Sequence, residues 1–538
     1  MRMNTAEAVV ESLIRHGISV IFGVPGAHND PFFDALQKNA NRIRTIHTRH
    51  EQTAGYMALG AALASGKPQA LIVVPGPGML NVSAALLTAY SMNVPLLALI
   101  GQIQQGMIDR GFGYLHEIHD QLGVLSHYTK HAARISHPAE AGERVAEALA
   151  IACSGRPRPV VLECARDVWP RTAEVIVPPP RPVVQPPLDH AVLARAAEIL
   201  GRARKPLIVV GGGATDAGAE VSAIAEALEA PVVSYRRGRG VISTTHRLAL
   251  ALPEGHRLWR DVDVVLGIGT RLFPYLPVWG TDANLAVVRI DIDAEEAERF
   301  ASPAVAIIAD AALALRALLP LLPRTPRPSR EAELQAVRAW FASELEKRGP
   351  QMQYLAAIRR ALPADGIFVG DVTQLGYAAY VGFPVSGSRR YLSAGYQHNL
   401  GWSFGAALGA KIAKPTQPVV CVVGDGGFLY QANEFATAIR HNIAVIAVVV
   451  DDGAYGNVRR IQELRYGNRL IASDLSNPDF LVYAKSFGVA ASRAATPQAL
   501  EAALREAIAL GKPALIHVPV GPMPDIWDLL GRPRVRGT

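Results

Sequence analysis

The sequence predicts an α/β protein built from three doubly wound parallel-sheet domains. Short apolar strand patterns alternate with helical patterns along nearly the whole chain, as in parallel sheets whose strands are connected by helices. Two proline-rich segments, 175–190 and 319–331, interrupt this alternation and are interpreted as linkers. A chain of 538 residues also exceeds what one hydrophobic core normally serves. We therefore predict domains at 1–172, 190–320 and 332–530.

The first predicted domain contains five apolar strand patterns. They lie at 20–23, 44–47, 70–74, 96–100 and 160–163. Between the second and third, residues 48–60 read TRHEQTAGYMALG, which predicts a polar turn leading into a helix with Glu51 in its first turn. A glutamate at that position complements the helix dipole, so by itself it does not identify a site.

The second predicted domain resembles a nucleotide-binding unit only at its start. Its strand patterns lie at 207–210, 232–233, 262–268 and 286–290. Three glycines, 211–213, follow the first strand, but Asp216 occupies the last glycine position of GxGxxG, so a tight strand-to-helix turn is predicted instead. Four arginines follow and would meet an anionic group such as a nucleotide or, more commonly, form a solvated face: Arg236, Arg237, Arg239 and Arg271.

The third predicted domain carries two acidic positions at strand ends. An apolar strand breaks at Gly424-Asp425-Gly426, and the strand at 443–450 ends at Asp451-Asp452. Because carboxyl ends of parallel strands meet at one edge of a sheet, Asp425 and Asp452 are expected to lie close together there. Carboxylates and phosphate oxygens suit Mg²⁺, and the glycines let amides approach a phosphate. The sequence predicts a magnesium diphosphate site; the alternative is a buried strand pair with turn glycines and surface aspartates.

Composition excludes several classes of protein. Half of the residues are hydrophobic and 19% are charged, which indicates a compact globular chain. The net charge of +7 is not concentrated in a basic run, so a nucleic-acid partner is not expected. The N-terminal helical pattern is interrupted by Glu and Arg, and we therefore expect neither a signal peptide nor a membrane span but a cytoplasmic protein. The three cysteines show no metal-binding spacing and are expected in the core.

Several motifs together resemble the thiamine diphosphate-dependent enzymes, in the branch of acetolactate synthase and benzoylformate decarboxylase. These motifs are RHEQ at 49–52, SGKP at 65–68, PGPGMLN at 75–81 and the acidic strand ends at 421–456, and the resemblance covers essentially the whole chain. It implies that Glu51 contacts N1′ of the cofactor's aminopyrimidine, so that the cofactor's own 4′-imino group can deprotonate C2 to a carbanion. It also implies that Pro25, Gly76 and Asn81 bind the cofactor.

The resemblance assigns the rest of the cofactor site to the third domain. It implies that Leu400 bends the cofactor and that the backbone carbonyl of His398 accepts from the 4′-amino group. It implies magnesium ligation by Asp425, Asp452 and the carbonyl of Ala454. The remaining cofactor contacts implied are Thr373, Gln374, Gly424, Gly426, Gly427, Tyr455 and Gly456. The family usually has asparagines at 451 and 452, glycine at 398 and, in acetolactate synthases, tryptophan at 461; this chain has Asp451, Asp452, His398 and Ile461.

The implied reaction is decarboxylation or carboligation of a small 2-oxo acid through a C2 carbanion and an enamine. His28 and His116 are the candidate catalytic residues, and together with Arg459 and Arg460 they are the candidates that decide the fate of the enamine. The active site implies a homodimer or homotetramer, because the family places the glutamate of one subunit against the diphosphate domain of another. FAD is allowed by the resemblance but not expected, since the flavin-region pattern is absent from the middle unit.

Two alternatives stay open. One is an enzyme of the 2-hydroxyacyl-CoA lyase or oxalyl-CoA decarboxylase type, in which the arginines of the second domain would bind the nucleotide portion of the substrate. The other is a catalytically silent cofactor-binding regulatory subunit, suggested by Asp451-Asp452 and His398. The presence of Glu51 argues against the second.

Overall fold

The computed structural model describes residues 1–183 and 185–537. It contains three six-stranded parallel sheets that follow one another along the chain, each flanked by helices. The predicted fold class is therefore confirmed. The predicted linker at 175–190 includes Val184, which lies outside the described residues, and the domain boundaries stay a prediction. In the described part of the chain, no helix is both long enough and apolar enough to cross a membrane.

The N-terminal unit has the sheet order β3-β2-β4-β5-β7-β6. Its elements are β1 Arg2–Asn4, α1 Thr5–Arg15, β2 Val20–Gly23, α2 Asp30–Lys38, β3 Arg44–His47, α3 Glu51–Ser65, β4 Gln69–Val73, α4 Pro77–Met92, β5 Leu96–Gln102, α5 Gln121–Ser126, β6 His131–Ile135, α6 Ala141–Cys153, β7 Val160–Ala165 and β8 Thr172–Glu174. A separate antiparallel ribbon pairs β1 with β8. The edge strand β6 was not predicted, because four of its five residues are only partly buried and its pattern is weakly apolar.

The central unit has the sheet order β11-β10-β9-β12-β13-β14. Its elements are α7 His190–Arg202, β9 Pro206–Val210, α8 Gly218–Leu228, β10 Val232–Ser234, β11 Ala249–Leu250, α9 Leu252–Trp259, β12 Val264–Ile268, β13 Ala286–Asp291, α10 Ala294–Glu298, β14 Val305–Ile308 and α11 Ala311–Leu318. A short 3₁₀ turn at Gly212–Ala214 follows β9, in agreement with the predicted tight turn.

The expectation of a solvated arginine face in the central unit is wrong for Arg239. Its side chain is buried and donates to the carbonyl oxygens of Tyr380 and Phe383 in the C-terminal unit. Its guanidinium also lies over the ring of Tyr391. Arg239 therefore joins two units, a role that its position in an arginine run does not reveal.

The C-terminal unit has the sheet order β16-β15-β17-β18-β20-β19. Its elements are α12 Glu331–Glu346, α13 Gly349–Ala361, β15 Ile367–Gly370, α14 Gln374–Gly382, β16 Tyr391–Ser393, α15 Trp402–Ala413, β17 Val419–Gly424, α16 Asp425–Phe428, α17 Phe435–Arg440, β18 Val445–Asp451, α18 Gly456–Arg465, α19 Phe480–Ser486, β19 Ala490–Arg493, α20 Pro497–Leu510, β20 Ala514–Pro519 and α21 Trp527–Leu530. Between β17 and β18 the chain forms two short helices, α16 and α17, which a 3₁₀ turn joins.

The N-terminal and C-terminal units share one topology. In both, the first strand lies between the second and the third, and the last two strands are exchanged. They also pack directly on each other through α3 and α15. Glycines make this close approach feasible, since a Cβ at Gly60 would overlap the carbonyl of Ala406, and one at Gly409 would overlap that of Met57. Because residue 60 meets 406 and residue 57 meets 409, the two helices run in opposite directions.

Candidate active site

A cavity of about 220 Å³ opens at the carboxyl ends of β15, β17 and β18. Since β16 and β17 lie on either side of β15, this edge is the point where the strand order reverses, and ligands of open α/β sheets bind at such points. The structure brings together here most of the residues predicted for the diphosphate and the metal: Thr373, Gln374, Leu400, Gly424, Asp425, Gly426, Gly427, Asp452, Ala454, Tyr455 and Gly456.

Two glycines of the cavity, Gly426 and Gly456, are required by close contacts. β17 ends at Gly424 and α16 begins at the next residue, so the strand leads directly into a helix start. A Cβ at Gly426 would lie 2.7 Å from the ring of Tyr455, and one at Gly456 would overlap the Asp452 carboxylate. This surface is lined by backbone rather than side chains, as a phosphate-binding loop requires.

Three carboxylates meet at the ends of β17 and β18. Burial raises the pKa of Asp425 to about 6, and the charges of Asp452 and Asp451 act in the same direction. Burial likewise raises the pKa of Asp452. Asp451 accepts from the side chain of Asn477 at 3.0 Å and lies 2.8 Å from Nε2 of His517. A cation bound here would offset this concentration of negative charge in a partly buried site.

These residues fit a magnesium diphosphate. Mg²⁺ is commonly held by one or two carboxylates together with phosphate oxygens. Asp425, Asp452 and Ala454 all line the cavity, and their carboxylates and backbone carbonyl are donors of this kind. No group of three His, Cys, Asp or Glu side chains placed for a metal occurs in residues 1–183 and 185–537. The predicted ligand set does not need one, because its third protein donor is a backbone oxygen.

A buried aspartate fixes the loops around Leu400. Asp371 follows β15 and accepts hydrogen bonds from the hydroxyl of Ser403 at 2.6 Å and from the amide of Gly401 at 3.4 Å. Burial raises the pKa of Asp371. Thr373 caps α14 by accepting from the amide of Gly376 at 2.9 Å. The chain that follows β15 is thereby tied to the residues that directly follow Leu400.

His398 lies beside this cavity in a left-handed conformation, with φ of 50°. Its ring centre is 6.0 Å from that of Tyr380 and 6.5 Å from that of Tyr377. Burial, with a smaller contribution from the charge of Arg236, lowers the pKa of His398 to about 4. The imidazole is therefore neutral at ordinary pH, and its buried Nε2 has no hydrogen-bond partner among the described residues.

The predicted residues of the N-terminal unit form a second cluster. Glu51 begins α3, and its Oε2 accepts from Nδ2 of Asn81 at 3.0 Å. Gly76, which precedes α4 with φ of 54°, has no room for a Cβ because one would lie 2.7 Å from the carbonyl of His116. His116 stacks on His28, with ring centres 4.9 Å apart and planes 22° apart. Pro25 lies exposed three residues before His28.

Burial is the main cause that lowers the pKa of His28, followed by the charges of His116 and Arg166. The Nδ1 atoms of both histidines are buried and make no hydrogen bond within the described residues. Two stacked imidazoles therefore lie side by side, each with a buried ring nitrogen that has no hydrogen-bond partner within the described residues.

The two clusters do not meet within one chain. Among the described residues, only residues between 372 and 458 line the cavity that contains Asp425. None of the predicted site residues of the N-terminal unit lines it: Pro25, His28, Glu51, Gly76, Asn81 and His116. The opposite directions of α3 and α15 explain the separation, because the first turn of α3 lies toward the end of α15 that is remote from Leu400.

Some features of the site were not predicted. Asn477 donates to Asp425 at 2.7 Å from a loop that carries no recognisable motif. His517 lies in β20 near its carboxyl end. Because the carboxyl ends of parallel strands meet at one edge of the sheet, the argument that predicted the position of Asp425 would also have predicted that of His517. Arg459 and Arg460, considered above as residues that decide the reaction, are each held by acidic partners: Arg459 by Glu463 and Asp474, Arg460 by Asp525.

A second cavity, of about 320 Å³, lies between the N-terminal and central units. Four arginines contribute to its walls: Arg156, Arg237, Arg271 and Arg389. Burial and the charge of Arg389 lower the pKa of Arg237 to about 10. Asp291, at the end of β13, also lines it. The cavity lies at the carboxyl edge of the central sheet. Asp216 and Asp310 also line it, and acidic partners pair with Arg156, Arg271 and Arg389, which leaves Arg237 as the arginine of this cavity without an ion pair among the described residues.

The chain matches the thiamine pyrophosphate enzyme domains over most of its length. The N-terminal TPP-binding domain matches at 3–124, the central domain at 193–318 and the C-terminal TPP-binding domain at 371–518. The chain therefore belongs to the thiamine pyrophosphate (thiamine diphosphate) enzyme family, and the predicted family is confirmed.

Its relatives include both synthases and a decarboxylase. A probable 2-ketoarginine decarboxylase of Pseudomonas aeruginosa is 32% identical, with 94% of this chain and 91% of the relative covered. A probable acetolactate synthase large subunit of Methanocaldococcus jannaschii is 32% identical, with 97% of this chain and 92% of the relative covered. The acetolactate synthase isozyme 3 large subunit of Escherichia coli is 30% identical, with 94% of this chain and 92% of the relative covered.

Proposed function

We propose that this protein is a thiamine diphosphate- and Mg²⁺-dependent decarboxylase or carboligase that acts on a small 2-oxo acid. The observation that carries the proposal is the cavity at the ends of β15, β17 and β18, where glycine backbone and the carboxylates of Asp425 and Asp452 lie side by side. Gly426 and Gly427 would bind the diphosphate, and Asp425, Asp452 and Ala454 would hold the metal.

We further propose that two copies of the chain form each active site. Glu51, Asn81, His28 and His116 lie outside the cavity of their own chain, so a second copy is needed to bring them to the cofactor. The result would be a homodimer, or a homotetramer made of two such dimers. Sedimentation of the purified protein tests this, and an active monomer would contradict it.

Bound thiamine diphosphate supplies the electron sink that cleavage of a 2-oxo acid requires. Glu51 would share a proton with the pyrimidine nitrogen, and Asn81 would hold the Glu51 carboxyl through its 3.0 Å hydrogen bond. The imidazoles of His28 and His116 would bind the substrate carboxylate or move a proton. Leu400, packed near Gly427, would exclude water from the reacting side.

The experiment is a calorimetric titration of thiamine diphosphate into metal-stripped protein, with and without Mg²⁺, followed by a screen of 2-oxo acids for CO₂ release. We expect binding that depends on Mg²⁺ and release of CO₂ from at least one acid. An aldehyde product would identify a decarboxylase, and a hydroxyketone would identify a carboligase. Binding without any turnover would favour the silent regulatory subunit, and absence of binding would overturn the proposal.

A second candidate is an enzyme of the 2-hydroxyacyl-CoA lyase or oxalyl-CoA decarboxylase type. The arginine-rich cavity of the central unit favours it, because guanidinium groups suit the phosphates of a nucleotide. Titration with ADP and CoA, and with FAD as a comparison, tests this candidate. Tight binding of ADP or CoA that Arg237→Gln weakens would support it, and binding of none of them would contradict it.

A further inference from the structure

Glu434 lies outside the cavity, yet it contacts the chain immediately before Glu51. It ends a 3₁₀ turn at Ala432–Glu434, and its side chain is fully buried. The amide of Arg49 donates to both of its carboxylate oxygens at 3.1 Å, and the amide of His50 donates to Oε1 at 3.1 Å. A carboxylate of the C-terminal unit thus binds the two residues that lead into α3.

These hydrogen bonds satisfy the carboxylate in a buried position. The hydroxyl of Thr437 is a third donor to it. Burial raises the pKa of Glu434, and the donated hydrogen bonds act in the opposite direction. A buried acid that accepts hydrogen bonds from three donors is held in one orientation, so its partners are held as well.

Local hydrogen bonds also hold the segment that leads into α3: the hydroxyl of Thr48 donates to the carbonyl of His50, and the amide of Gln52 donates to Nδ1 of His50. From Thr53 to Ala64 every residue of α3 is buried, and the body of the helix is locked against α15 by its glycines. Glu51 itself is only partly buried, and its carboxylate makes one side-chain hydrogen bond, to Asn81. The direction in which the chain enters α3 therefore decides where the Glu51 carboxyl group lies.

We propose that Glu434 is a positioning residue for Glu51. Through the amides of Arg49 and His50 it holds the first turn of α3, so that the Glu51 carboxyl is presented at a fixed place to the cofactor's pyrimidine. The inference rests on the proposed function of Glu51. It also means that one short segment, 425–434, carries a metal-binding carboxylate at its start and a positioning carboxylate at its end.

The test is Glu434→Gln, which preserves shape but places an NH₂ group opposite two N–H donors. In the cofactor-free protein, amide hydrogen exchange of a peptide covering 48–54 should rise about tenfold, the effect of losing one ordinary hydrogen bond. Thiamine diphosphate affinity should stay within about twofold. Exchange of the C2 proton of the bound cofactor should slow by about 10- to 100-fold, as small displacements of catalytic groups do.

Glu254→Gln is the matched control. Glu254 is also a buried glutamate, and it accepts from the amide of Ala251 at the start of α9 in the central unit. It should lower thermal stability without changing exchange at 48–54 or at C2. If Glu434→Gln does not fold, Glu434→Asp takes its place, with a smaller effect expected because the carboxylate is kept.

Two outcomes overturn the inference. One is wild-type exchange at both 48–54 and C2 in the Glu434 variants. The other is a slowing of C2 exchange in Glu434→Gln that is no larger than the slowing in Glu254→Gln. Such a result would mean that the variant acts through a general loss of stability. A failure of the proposed function is distinguishable, because Glu51→Gln would then leave C2 exchange unchanged whatever Glu434 does.

Discussion

Nδ2 of Asn477 lies 2.7 Å from Oδ2 of Asp425, which ties a loop 52 residues further along the chain to the carboxylate that directly follows β17. The same amide nitrogen is 3.0 Å from Asp451, so one side chain spans two acidic groups. It thereby fixes the orientation of a proposed metal ligand and partly offsets the charge beside it.

Asn477→Ala should weaken Mg²⁺-dependent binding of thiamine diphosphate by about 10- to 100-fold, the usual effect of removing a group that orients a metal ligand. Calorimetric titration at several Mg²⁺ concentrations measures it. Asn284→Ala, at an exposed asparagine of the central unit, is the control and should change nothing. Unaltered affinity in Asn477→Ala would show that Asp425 needs no such support.

Glu51→Gln should lower turnover by at least about 1,000-fold while leaving diphosphate binding unchanged, because the amide cannot share a proton with the pyrimidine. Asn81→Ala should lower it about tenfold, since it removes one hydrogen bond to a carboxylate. Steady-state rates and cofactor titrations on the same samples separate the two effects. Wild-type turnover in Glu51→Gln would remove Glu51 from the reaction.

His28 and His116 should act together, because their rings stack 4.9 Å apart. His28→Ala and His116→Ala are each expected to lower kcat, and the double variant should lose less than the sum of the single losses by about 0.5–3 kcal/mol. A double-mutant cycle on kcat gives this coupling. Additive losses would mean that the histidines work independently.

The neutral state of His398 makes folding stability depend on pH. Its pKa is lowered from 6.5 to about 4, so between these values the unfolded chain binds a proton that the folded chain does not. The contribution of neutral His398 to the free energy of unfolding is fully present above pH 6.5. It is lost as the pH falls toward 4, at up to about 1.4 kcal/mol per pH unit.

His398→Gly should remove this part of the dependence, and glycine accepts the positive φ of this position. Urea unfolding of both proteins between pH 4 and pH 7 measures the difference in slope, with the other histidines common to both. Parallel curves would show that His398 is not held neutral by burial.

The sequence by itself determined the fold class and the main features of the diphosphate cavity. β17 and β18 are strongly apolar, nearly fully buried strands, and neighbouring parallel strands place their ends together, so the proximity of Asp425 and Asp452 followed from local pattern alone. The role of the glycines at the strand ends was also predictable from the sequence, because a backbone that must approach a ligand or another residue closely tolerates no side chain.

Only the tertiary structure decided the features that depend on contacts between distant segments. Asn477, Glu434 and Arg239 act across loops or units, and nothing in their local sequence specifies the partner. The edge strand β6 is partly polar and therefore weakly patterned. The separation of Glu51 from the cavity arises from the packing of α3 on α15, since the crossing of two helices is set by side-chain fit and not by the periodicity of either one.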